Sequence, residues 1–84
     1  MTLPELHNKL KELEIPENTY YLHGLYGSPD DNDKIALTIR KGKLFVEYEV
    51  YYKEKGEKQS TKTFVSEDEA CQYFYRQITH NASK

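Results

Sequence analysis

The chain has no tryptophan, a single cysteine, and a formal charge only two units from zero. Each shortage closes a route. One thiol, Cys71, rules out an internal disulfide and a thiolate zinc cage. A lone thiol suits a reducing compartment, so the expected location is the cytoplasm. Met1-Thr2-Leu3-Pro4-Glu5 lacks a basic segment followed by an apolar run, so no secretory signal is expected. Without one, the sequon Asn81-Ala82-Ser83 carries no weight. No stretch approaches the roughly 20 apolar residues of a membrane helix, and no membrane partner is expected. Twelve lysines and arginines stand against fourteen aspartates and glutamates. A general nucleic-acid binder needs excess cations to release counterions, so direct nucleic-acid binding is not expected either. Repeats, linkers and low-complexity segments are also missing. Eighty-four residues suit one small domain, 1–84, with a thin core and residues 79–84 as a frayed tail.

Tyrosine, by contrast, is plentiful, with eight in the chain. The side chain joins contact area to a polar tip and suits interfaces as well as strands. About half of the eight are expected in packing and the rest at the surface, since tyrosine is intermediate in burial.

The order of elements follows from periodicity. Thr2 and Glu5 form a capping box, Pro4 is tolerated in the first turn, and Leu3, Leu6, Leu10 and Leu13 recur at helical spacing. Ile15-Pro16 ends that helix. Tyr20 to His23 offers a short strand, and Gly24 to Asp33 reads as a loop. Lys34 to Arg40 alternates as a strand, and Lys41-Gly42 turns the chain. Leu44 to Lys53 is the longest strand. Leu44, Val46, Tyr48, Val50 and Tyr52 share one face; Phe45, Glu47, Glu49, Tyr51 and Lys53 share the other. Lys55-Gly56 turns into a polar return strand, Lys58 to Phe64. Ser66 and Glu69 cap a last helix, whose stripe is Ala70, Cys71, Phe74 and Ile78. The predicted fold is α+β, in the order α-β-β-β(-β)-α. An antiparallel meander sheet carries both helices on one face and leaves the other in water. Its free edges leave a homodimer open.

No catalytic set emerges. Ser28, Ser60, Ser66 and Ser83 lack a neighbouring base or an elbow, and Cys71 falls on the inner helix stripe, where a thiol is inert. His7, His23 and His80 share no metal-ligand spacing. Asp30-Asp31-Asn32-Asp33 lacks the glycine and distal glutamate of a helix–loop–helix calcium site. Gly24 and Gly27 precede neither a lysine nor a helix that could cradle phosphate. Catalytic residues, metal ligands and cofactors are therefore not assigned. Glu47 and Glu49, two apart on one strand face, read as an exposed face flanked by Lys53 and Arg40.

The sheet face turned from the helices is left to act as a surface. It combines Glu47, Glu49, Tyr51 and Lys53, joined by Asp30, Asp31 and Asp33 where the acidic loop folds to that side, and by Tyr26. Aromatic groups among carboxylates complement a basic partner.

The run Glu49-Val50-Tyr51-Tyr52-Lys53-Glu54-Lys55-Gly56-Glu57-Lys58, followed by Phe64-x-Ser66-Glu67-x-Glu69-Ala70-Cys71-x-Tyr73-Phe74, resembles short bacterial immunity proteins encoded beside polymorphic, contact-dependent toxins. Ile15-Pro16-Glu17 after the first helix is similar too. Lys53 stands where that group has serine, and Lys55 where it has arginine. The resemblance implies a protein that covers the active site or substrate groove of a cognate toxin C-terminal domain. A nuclease, foremost a ribonuclease, is the toxin it implies; the acidic-aromatic face supplies the expected contacts, Glu47, Glu49, Tyr51 and Lys53, then Asp30, Asp31, Asp33 and Tyr26. The competing pattern is a double-stranded-RNA-binding module of the same element order. It fits poorly, because Glu67, Asp68 and Glu69 stand where such a module places cations on phosphates.

Overall fold

A computed structural model describes residues 1–82. The elements are α1 (Leu3–Glu12), a 3-10 turn at Glu17–Thr19, β1 (Tyr20–Leu22), β2 (Tyr26–Gly27), β3 (Ile35–Lys41), β4 (Val46–Glu54), β5 (Glu57–Phe64) and α2 (Glu67–Ala82). The α+β class stands as expected. Both helices pack on one face of a five-stranded sheet of order β2-β1-β3-β4-β5.

Both helix starts obey the capping rule. Thr2 Oγ1 accepts from Glu5 N and Glu5 Oε1 accepts from Thr2 N at 3.0 Å, so the box closes in both directions. Ser66 Oγ accepts from Glu69 N at 3.3 Å. The two N-termini also meet. Leu3 N donates to Glu67 Oε2 at 2.9 Å, and the terminal ammonium pairs with Asp68. Carboxylates of the first turn of α2 thus satisfy donors of α1 while complementing the α2 dipole. Leu3, Leu6 and Leu10 from α1 and Ala70, Cys71, Phe74 and Ile78 from α2 form the core with Tyr20, Leu22, Ile35, Leu37 and Val50. Leu13 falls at the C-cap and stays half-exposed, so the α1 stripe stops one residue early. Helix α2 runs on through Ala82, so residues 79–82 continue it where a frayed tail was expected; the remainder of that segment lies outside the described residues.

The sheet departs from a plain meander at one place. Tyr20 to Leu22 does enter the sheet, but β1 lies parallel to β3, with Tyr20 opposite Ile35 and Leu22 opposite Leu37. A short antiparallel hairpin to β2 and the loop at 28–34 carry the chain back before β3 begins. Gly27 makes that return tight. It has φ +80°, and a Cβ there would stand 2.6 Å from the Tyr20 carbonyl oxygen. Lys55 and Gly56, both with positive φ, form the two-residue turn between β4 and β5.

Strand β4 begins two residues later than the alternation suggests. Leu44 and Phe45 are loop residues rather than members of opposite strand faces. Gly42 N donates to the Phe45 carbonyl at 2.8 Å, so the β3–β4 connection occupies 42–45 and lifts both side chains off the sheet.

Candidate partner-binding site

The register of β3, β4 and β5 builds the face turned away from the helices. Ala36, Thr38 and Arg40 of β3 stand opposite Tyr51, Glu49 and Glu47 of β4. On the other side Lys53 faces Lys58 and Glu49 faces Thr63. Between these pairs β5 carries a bulge. Val50 pairs with Lys62 but Tyr52 pairs with Gln59, so Ser60 and Thr61 together oppose Tyr51. Ser60 takes the left-handed conformation (φ 53°) that such a bulge requires.

Tyr51 is the centre of this face and is only 2% exposed, with Ala36 opposite it fully buried. The acidic loop covers the ring's end. Tyr51 donates its hydroxyl proton to Asp31 Oδ2 at 2.6 Å, and Lys53 Nζ donates to Asp31 Oδ1 at 3.3 Å. The Lys58 ammonium lies over the ring, 4.6 Å from its centroid, and donates to Glu49 Oε1 at 2.7 Å. Like charges opposite each other on a sheet repel. Lys53 and Lys58 avoid this by turning to different carboxylates. Arg40 pairs with Glu47 at 3.1 Å and reaches Glu49 at 4.0 Å. Asp31, Glu47 and Glu49 therefore meet three cations, Arg40, Lys53 and Lys58.

This corrects the expectation of an exposed acidic face. Glu49 is 8% exposed, and its charge is satisfied from two sides. The Tyr51 hydrogen bond, aided by Lys53, holds the Asp31 carboxyl below its ordinary range despite some burial. Burial first, then Asp31, pushes the Tyr51 hydroxyl well above the usual range. A partner meeting the face in this conformation would touch Glu47, Arg40 and Lys58 before Tyr51.

The loop residues divide. Asp31 joins the face. Asp30 accepts from Lys34 Nζ at 2.9 Å and from Asn32 N at 3.2 Å, an internal loop brace that holds its carboxyl low. Asp33 accepts from Lys55 N at 3.2 Å and so fixes the β4–β5 turn. Tyr26 is on the other side of the sheet. From β2 it pairs with Leu22 of β1 and stacks on the His7 ring of α1, 4.6 Å between centroids, so it does not belong with the outer residues. The same corner holds a chain that spacing along the sequence hides: His7 Nε2 lies 3.4 Å from Glu17 Oε1, and His7 Nδ1 lies 3.1 Å from the Tyr20 hydroxyl. It resembles a proton relay, but Tyr20 is fully buried. The imidazole gives a core hydroxyl its partner, as buried polar groups require.

Cys71 is fully buried, and burial, followed by the nearby Glu67 charge, pushes its thiol up to about 12. Only the thiolate is nucleophilic, so native protein should resist a thiol reagent at pH 8. Labelling should proceed promptly in denaturant; equal rates in both states would contradict the buried assignment. Among the described residues no group of three His, Cys, Asp or Glu side chains is placed to hold a metal ion, and no helix is long and apolar enough to cross a membrane.

Set against family models, curated proteins and solved structures, the chain matches none.

Proposed function

We propose that this chain binds and neutralises a bacterial toxin domain in the cytoplasm, as the immunity proteins resembling its sequence do, and that the toxin is a nuclease, foremost a ribonuclease. The observation that supports a binding role is the organised outer face. Six charged side chains there are held by one another around a buried tyrosine. Groups already immobilised lose little entropy when a partner arrives. An alternating pattern of paired charges also selects one partner and one register over others. It does so without the net acidity of a phosphate mimic. Glu47, with about a third of its side chain exposed, is the carboxylate of this face most open to a basic groove.

The test uses the neighbouring gene, expected to encode a large secreted protein with a variable C-terminal toxin domain. That domain expressed alone should arrest growth; co-expression with this chain should restore it, and the two should co-purify one to one. Arrest that persists with both proteins soluble overturns the reading. Salt-dependent binding of the purified chain to duplex RNA would overturn it in favour of an RNA-binding module.

A further inference from the structure

We infer that the β3–β4 hairpin tip, Leu44 and Phe45 flanked by Lys41 and Lys43, anchors this chain on a protein partner offering an apolar pocket rimmed by carboxylates. The inference rests on the partner-binding role proposed above and names the surface that carries it. Leu44 is 86% and Phe45 64% exposed. Val46, 44% exposed, follows them directly. Val65, 64% exposed, comes one residue after Phe64, which pairs with Tyr48 at the same end of the sheet. Isolated exposed apolar residues such as Leu13 and Leu25 are ordinary. Leu44, Phe45 and Val46 are three in succession at the hairpin tip, and contiguous exposed apolar groups mark contact sites.

Folding does not account for these side chains. The tip is tight, since the Gly42–Phe45 hydrogen bond closes it and a Cβ on Gly42 would stand 2.8 Å from the Phe45 carbonyl oxygen. Leu44 and Phe45 are therefore presented on a constrained loop, as interface anchors are. The charges decide what they meet. Arg40, Lys53 and Lys58 on the adjoining face are all spent on internal carboxylates. Lys41 and Lys43 have no ion-pair partner among the described residues. Their charge is free for carboxylates on a partner. A second copy meeting tip to tip would oppose these lysines to themselves. An anionic bilayer would be repelled by Glu67 and Glu69, which take part in no ion pair among the described residues and lie in the first turn of α2, two residues beyond Val65.

The experiment titrates the neighbour-encoded toxin domain with three proteins: the native chain, Leu44→Ser/Phe45→Ser and Lys41→Glu/Lys43→Glu. Both doubles alter exposed positions, and unchanged thermal midpoints confirm their folding. The serine double should weaken affinity by about 100-fold or more. The charge reversal should weaken it about tenfold, mainly in association rate and less so at high salt. Tight binding by the native chain with equal affinity in both doubles overturns the tip while leaving the toxin reading intact. No binding by the native chain overturns the toxin reading, and the anchor with it. Sedimentation of the native chain with phosphatidylserine vesicles, lost in the serine double, would overturn the protein pocket in favour of a lipid surface.

Discussion

Tyr51→Ala should lower the unfolding free energy by about 3–4 kcal/mol, the usual cost of emptying a buried aromatic site. For a side chain on the sheet face away from both helices this is a large effect. It follows from Tyr51 being 2% exposed, with Ala36 opposite it, the Lys58 ammonium over its ring and Asp31 of the 28–34 loop on its hydroxyl. The conservative variant separates packing from the hydroxyl. Tyr51→Phe keeps the ring but removes the 2.6 Å donor from Asp31, so it should cost about 2 kcal/mol at neutral pH, as a charge-assisted hydrogen bond does.

That deficit should depend on pH with a defined sign. Asp31 is held below its ordinary value of 3.8 chiefly by Tyr51. The stabilisation is therefore complete above pH 3.8 and fades as pH falls through the lower, folded-state value. The native protein and Tyr51→Phe should converge in stability in strong acid. At the alkaline end the sign reverses. The Tyr51 hydroxyl is raised from its ordinary value of 10.0, so its contribution is complete below pH 10 and declines above it. Urea unfolding across pH 2–11 checks both limbs, and a deficit independent of pH would contradict them.

Phe74→Ala should cost about 3–5 kcal/mol and leave little or no cooperative transition. Phe74 is fully buried on α2, at the turn between Cys71 and Ile78, within the one cluster that joins both helices to β1, β3 and β4. A domain of this size has few other large groups to refill the space. Domain stabilities begin near 5 kcal/mol, so the loss can exceed what a small fold has to give. Circular dichroism during urea unfolding would show a shallow, early transition. A midpoint within a few tenths molar of native would contradict the packing described.

What could be read ahead of the structure was whatever depends on neighbours in the chain. The capping residues Thr2, Glu5 and Ser66, the helix stripes, the Lys55-Gly56 turn and the alternation of Val46 to Lys53 are local signals. Three non-local events were hidden. β1 pairs parallel with β3 because the loop at 28–34 returns the chain, and no periodicity encodes a pairing direction. Asp31 reaches Tyr51 across twenty positions while Asp30 and Asp33 turn to nearer partners, so an acidic run that looks uniform does three different jobs. Lys58 reaches Glu49 across the Ser60 bulge, which a serine-threonine strand does not announce. These events turned an expected acidic surface into a neutral one. Tyrosine burial followed suit. Tyr52 alone falls in the exposed class, whereas half of the eight were expected there. One misplacement was local: alternation carried the strand back to Leu44, and only the 42–45 loop shows why Leu44 and Phe45 are left outside.

The outer face holds together only if Tyr51 and Asp31 act as one unit, and a double-mutant cycle on stability measures that. Tyr51→Phe, Asp31→Ala and the double variant are unfolded in urea at pH 7. The clamp predicts a coupling energy of about 1–2 kcal/mol, because either substitution alone already breaks the same hydrogen bond. Costs that simply add, to within about 0.3 kcal/mol, would mean that the loop does not close on Tyr51 and that the face is not organised before a partner arrives.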